Sequence, residues 1–132
     1  MILIDANIFM YAAGADHAYK GPSAAFLTRV ASGDVDAAVD TEALQEILHR
    51  YRAMGRWEDG RRVYETTRRI VPVSIPITVE ILDAARDLMN TYGELTTRDA
   101  IHAAVALASE AEGICSYDRD FDGVAGLRRV EP

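Results

Sequence analysis

Four acidic residues in this chain stand where an α/β fold does its chemistry. Asp5 follows the short apolar run Ile2-Leu3-Ile4. Asp99 opens the almost wholly apolar stretch 100–111. Asp118 and Asp120 come directly after Ile114-Cys115-Ser116, with Asp122 close behind. An apolar run of this length reads as a buried strand of a parallel sheet, and the carboxyl ends of such strands face an open crevice. Each acid also has a plainer reading. Asp5 could cap a helix starting near Asn7, Asp99 could answer a helix dipole from the first turn, and 118–122 could be an Asx-capped turn into a short helix. On Asp5 alone the cap is the simpler account. Repetition changes the balance, because carboxylates crowded within five residues repel one another and are costly to hold without a cation. The histidines are scattered and the single cysteine, Cys115, lies inside a strand, so nothing indicates a zinc-type site. Oxygen ligands without nitrogen or sulfur favour Mg²⁺ or Mn²⁺. Such an ion suits phosphate chemistry, orienting the phosphate, activating a water and stabilising the leaving oxygen.

The elements that must position these acids follow from periodicity. Beyond 2–4, strands are expected at 35–39, 71–75, 114–116 and 127–130, with Pro72 marking the third as an edge or as a late-starting strand. Helices are expected at 7–13, from Pro22 to the stop at Gly33, after the Asp40-Thr41 cap, at 57–70, at 77–92 and at 100–111. In the helix after Asp40, Leu44, Ile47, Leu48 and Tyr51 mark the buried face, which leaves Glu42 and Glu46 on the other side. Glu46 lies four residues before Arg50, the spacing of an exposed ion pair. In the helix at 77–92 the apolar side is Val79, Leu82, Ala85, Leu88 and Met89. Thr96-Thr-Arg-Asp99 resembles a capping box. His102 reads as a hydrogen-bonded core or boundary histidine, His17 as a solvated loop residue, and Trp57 and Tyr64 as packing residues. Alternating strands and helices indicate one α/β domain over 1–132 with a mostly parallel sheet.

Composition bounds the function. The chain has 132 residues, 49% of them apolar, enough for one sizeable core without disulfides or a structural metal. A lone buried cysteine is a core residue. With no apolar run of membrane length and no targeting segment in view, the expected compartment is the cytoplasm. A net charge of −7 argues against a bulk electrostatic nucleic-acid binder. Yet Arg50, Arg52, Arg56, Arg61, Arg62, Arg68 and Arg69 are seven of its fourteen basic residues. Together they make an arginine-rich helical hairpin, either a local phosphate-binding surface or a solvated face of Arg–Glu pairs.

Ile4-Asp5-Ala-Asn7, Thr41-Glu-Ala-Leu-Gln-Glu46-Ile-Leu, Arg98-Asp99-Ala-Ile-His-Ala-Ala and Ser116-Tyr-Asp118-Arg-Asp120-Phe121 occur in this order along the whole chain. In this the chain resembles PIN-domain ribonucleases, and more closely the small VapC toxins of prokaryotic toxin–antitoxin pairs. The resemblance implies a three-layer α/β/α sandwich and an acidic quartet of Asp5, Glu46, Asp99 and Asp118. It makes Asp5, Asp99, Asp118 and Asp120 metal ligands, with Asn7 and Ser116 as the small polar residues beside them. Glu46 is assigned by resemblance only. The implied activity is Mg²⁺- or Mn²⁺-dependent hydrolysis of RNA by a metal-activated water. Arg50, Arg56, Arg61 and Arg62 would then grip the RNA backbone. A homodimer and a VapB-type antitoxin are the implied partners. A receiver domain or a haloacid-dehalogenase-type phosphatase would want a lysine near a late strand, and the only lysine is Lys20. A PIN scaffold that binds without cutting, and a housekeeping PIN nuclease without an antitoxin, remain as alternatives.

Overall fold

The structure is a computed structural model describing residues 1–132. Five strands, β1 (Ile2–Ile4), β2 (Ala37–Asp40), β3 (Ser74–Ile75), β4 (Gly113–Cys115) and β5 (Arg129–Val130), form one sheet in the order β3-β2-β1-β4-β5. Every pairing is parallel. The chain walks outward from central β1 to β3, then returns to lay β4 on the far side of β1 and β5 beyond it. The direction reverses between β1 and β4, and that reversal opens a crevice at their carboxyl ends.

Right-handed crossovers then dictate the layers. Connections made before the reversal cover one face of the sheet: α1 (Ala6–Ala13), α2 (Lys20–Ala31), α3 (Thr41–Ala53) and α4 (Trp57–Ile70). Connections made after it cover the other: α5 (Val79–Thr91), α6 (Thr97–Ala108) and a 3₁₀ turn, Arg119–Gly123. Strand alternation splits the core accordingly. Ile4, Val39 and Cys115 join Phe9, Phe26, Leu27, Ile47 and Tyr51 on one side. Leu3 and Ile114 join Ile101, Val105 and Phe121 on the other. Each large side chain buried in this way contributes about 1.5–3 kcal/mol over leaving it exposed.

Several expectations need correction. β3 is only two residues long, because Pro72 has no N–H to donate and the ladder starts beyond it; it is an edge strand, as Pro72 suggests. In α2, Ser23 is buried where Ala24 and Ala31 were expected to be, and those two are exposed. In α5 the apolar residues divide between two faces. Ala85 is buried and Ile81, Ala84 and Leu88 pack on the core, while Val79 and Leu82 are 70% and 46% exposed and Met89 is exposed beside them. Trp57 is at the surface with the Arg52 guanidinium 4.5 Å above its ring, whereas Tyr64 packs against the core.

The hairpin of α3 and α4 closes on a glycine. A Cβ on Gly60 would lie 2.4 Å from the Cβ of Tyr51, so only a residue without one lets the two helices meet there.

Candidate active site at the ends of the central strands

Asp5 occupies the N-cap position of α1 but makes no capping bond. Its Oδ2 instead accepts from the Ser116 hydroxyl at 2.6 Å. Ser116 follows β4 directly, and its Oγ also accepts from the backbone N–H of Asp118 at 3.0 Å. One fully buried serine thus holds the acid at the end of β1 against the loop after β4. Asp118 caps the 3₁₀ turn by accepting from the N–H of Asp120 at 2.9 Å. The turn expected at 118–122 is therefore present, and its capping acid faces the crevice.

Asp99 stands in the first turn of α6, where Thr96 caps the helix by accepting from the Asp99 N–H at 3.2 Å. Carboxylate oxygens of Asp99, Asp118 and Asp120 lie within 4.8 Å of one another. Burial first, and then the charges of Asp118 and Asp5, push the Asp99 carboxyl above the ordinary aspartate pKa; Thr96 and His102 act the other way without cancelling this. Three elements from opposite faces of the sheet have brought like charges together.

Glu46 is not the surface residue that a helical wheel suggests. It is 7% exposed, because α3 presents a second side to the sheet's carboxyl edge. Its Oε1 lies 3.1 Å from Arg98 and 3.7 Å from Arg50. A Glu46 oxygen, an Asp5 oxygen and a ring nitrogen of His102 also lie within 4.8 Å of one another. Glu42 is half-buried nearby, and burial, with Asp40 and Glu46 adding to it, raises its pKa against the pull of His102 and Arg98.

Behind Glu46 sits a pair that periodicity did not reveal. Asp40 ends β2, caps α3 by accepting from the Ala43 N–H at 2.8 Å, and contacts His102 Nδ1 at 2.6 Å. Both side chains are buried. The other ring nitrogen, Nε2, is buried with no hydrogen-bond partner. Arg98 was a second omission. Its position beside Asp99 in the first turn of α6 was the available signal.

The expected arginines divide. Arg50 reaches the site through Glu46 and lines a depression with Asn7. Arg56 and Arg62 pair with Asp59, and Arg61 bridges Glu58 and Glu65. These pairs lie along α4. The arginines that pair with Glu46 are Arg98 and Arg50.

The acids around Asp99 suit a hard divalent cation. The donors are all oxygens, they converge from separate rigid elements, and burial together with the charges of Asp118 and Asp5 disfavours the Asp99 anion, a cost that a cation would relieve.

Residues 2–127 match the model of the PIN domain family. Over 130 residues the chain is 37% identical to ribonuclease VapC13 of Mycobacterium tuberculosis, covering 98% of this chain and 99% of that one. A VapC ribonuclease of Mycobacterium bovis is equally similar. The chain belongs to the PIN-domain family and, within it, to the VapC group. Among solved structures, M. tuberculosis VapC20, a sarcin-ricin loop cleaving toxin, superposes with a TM-score of 0.79 over the full length of both chains at 17% identity. The VapBC2 complex of Rickettsia felis, solved with a promoter DNA fragment, gives 0.78 over 99% of this chain and 98% of that one at 16% identity. Both share the fold described above.

Proposed function

We propose that this chain is the toxin of a VapBC-type pair, an endoribonuclease that hydrolyses RNA phosphodiesters with Mg²⁺ or Mn²⁺. The observation that carries this reading is Asp5. It sits in a capping position, leaves the cap unmade, and is tied through Ser116 to the Asp118 backbone, with its charge acting on Asp99. Asp5, Asp99 and Asp118 would hold the metal, with Asp120 beside them. The bound cation would supply charge that polarises the phosphodiester and eases deprotonation of water.

The chain's own residues would do the rest. Ser116 fixes Asp5 and Asp118 in mutual register, so the ligands need not reorganise when the ion arrives. Arg98 and Arg50 hold Glu46 at the edge of the cluster, where it can orient the attacking water. Arg50 supplies positive charge for the incoming phosphate. The arginines of α4 extend that grip only by exchanging their Asp59, Glu58 and Glu65 partners for phosphates.

The partners follow the same reading. An apolar groove of about 460 Å³ between α1, α2 and α4 is lined by Phe9, Leu27, Val63 and Ile70, with Arg62 also on its wall. It suits an apolar helix face of a VapB-type antitoxin. Val79, Leu82 and Met89, exposed along one side of α5, suit a second copy of the chain. We read residues 1–132 as one domain working in the cytoplasm. No helix is long and apolar enough to cross a membrane.

Purified protein should cut a mixed structured-RNA substrate with Mn²⁺ or Mg²⁺, and EDTA or Asp118→Ala should abolish the cutting. Metal binding without any cleavage across tRNA, rRNA and mRNA substrates would favour a non-cleaving scaffold.

A further inference from the structure

A cluster of aromatic rings stands beside the acids and is not used by the reading above. Tyr19 and Tyr117 stack face to face, with centroids 3.6 Å apart and planes 6° from parallel. Tyr11 meets both edge-on, at 5.2 and 5.7 Å, and lies 5.0 Å from His17. Tyr117 is the residue between Ser116 and Asp118, so the cluster is anchored to the site itself. Tyr11 is four residues beyond Asn7 on α1, on the same face and about 6 Å further along the axis.

Asn7, Tyr11, Asp16, His17 and Arg50 line a depression of about 290 Å³. This is near the roughly 300 Å³ at which small-molecule pockets begin, so it fits one ring system rather than a run of chain. Its far wall is pinned. Lys20 Nζ donates to the Gly14 carbonyl at 2.6 Å, and a Cβ on Gly14 would lie 2.8 Å from the Met10 carbonyl oxygen. The Tyr19 N–H donates to His17 Nδ1 at 3.0 Å, which puts the proton of a neutral His17 on Nε2 as a free donor.

We propose that this depression is a nucleobase subsite, taking one unpaired base of the RNA next to the scissile phosphate. The inference rests on the ribonuclease reading and names the part of the substrate that the metal site does not touch. Single-stranded RNA is read by stacking unpaired bases on tyrosine and histidine rings, and Tyr11 and His17 are such rings, held rigid by Tyr19 and Tyr117. Asp16 in the wall repels phosphate, so the neutral base enters and the charged backbone stays outside. Arg50 lines the depression while its guanidinium lies 3.7 Å from Glu46, at the point where the backbone would pass toward the acids. The carboxylate of Asp16 accepts hydrogen bonds only, so it favours guanine, whose pairing edge presents two adjacent N–H donors to its two oxygens.

The test separates base binding from cleavage. In an Asp99→Asn background with no metal, short single-stranded RNAs carrying 2-aminopurine at successive positions are titrated and their fluorescence followed. One position is expected to be quenched. An abasic site there should weaken binding about tenfold, the size of one base–aromatic stack. Tyr11→Ala should remove the quenching and Tyr11→Phe should keep it. In the cutting-competent protein, Asp16→Asn should change which base flanks the cut. Unchanged quenching and an unchanged cut-site preference in Tyr11→Ala, with cleavage intact, would overturn the subsite alone. Tyr11→Phe serves as the folded control. A protein that neither binds nor cuts any RNA would overturn the ribonuclease reading and the subsite with it.

Discussion

His102 Nδ1 lies 2.6 Å from a carboxylate oxygen of Asp40, and both side chains are sealed inside the protein 62 positions apart in the chain. The contact ties the end of β2 and the cap of α3 to the buried side of α6. It therefore joins the elements that carry Glu46 and Asp99. Removing one partner of a buried pair leaves the other uncompensated, so His102→Ala and Asp40→Ala should each cost about 3–5 kcal/mol in urea unfolding. Asp40→Ala also loses the cap and should be the worse of the two. Losses below about 1 kcal/mol would mean that water reaches the pair.

The same contact sets a pH dependence in metal-free protein. Burial disfavours the His102 imidazolium, but the hydrogen bond and charge of Asp40, helped by Asp5 and Glu46, outweigh it and raise the pKa from 6.5 to about 9. A raised folded-state pKa means that the charged form stabilises the fold. That contribution is fully present below 6.5 and fades as pH rises through about 9. Unfolding midpoints measured in EDTA across this window should fall in the parent protein and stay flat in His102→Gln.

Asp99 shifts stability in the same direction with pH, although here it is the neutral form that the fold favours. Its folded carboxyl is held above the ordinary pKa, so the ionised form destabilises the metal-free fold. The cost is absent at pH below the ordinary value and sets in as pH rises through the folded one. Asp99→Asn should melt at a higher temperature than the parent in EDTA, yet show no further rise with Mn²⁺ and no cleavage. A lower melting temperature in EDTA would show that burial and the neighbouring carboxylates do not disfavour the Asp99 anion.

Ser116→Ala removes one hydroxyl that touches two acids. The cavity is small and the fold should survive. Metal affinity and cleavage should drop roughly 10–100-fold, the usual effect of losing a group that orients ligands. Unaltered metal titration would show that the backbone alone holds Asp5 and Asp118.

Glu46→Gln should suppress cleavage strongly, whereas Glu42→Gln should leave most of it. The reverse order would place the wrong face of α3 at the site.

Much of this was legible in the sequence because it is local. The strand before Asp5, the Thr96 cap, the turn at Asp118 and the α4 helix each span 14 residues or fewer, and their periodicity or cap chemistry is self-contained. Glu46 was legible only through the family resemblance. Its helix packs on two sides, and a wheel that marks one stripe assigns the second side to solvent. The Asp40–His102 pair has no local signature at all, since each residue alone reads as a cap and as a core histidine. The second apolar face of α5 was misread for the converse reason. Hydrophobic spacing shows which residues share a side, not whether this chain or another molecule covers it.

The Gly60–Tyr51 contact offers a test remote from the acids. Gly60→Ala must push α4 off α3 and should cost about 1–3 kcal/mol, as overpacking commonly does. The metal site should stay intact in the fraction that folds.

The hydroxyl of Ser116 and the carboxylate of Asp5 meet across 111 positions of chain. Proteins leave the ribosome amino end first, so Asp5 emerges 111 positions ahead of Ser116. β1 lacks its β4 neighbour until then, and pairing over such a separation is among the slower events in folding. A nascent chain, or one cut short by a failed translation, carries the first acid without the other two. The acids at the ends of β1 and β4 can therefore meet only after the loop following β4 has left the ribosome.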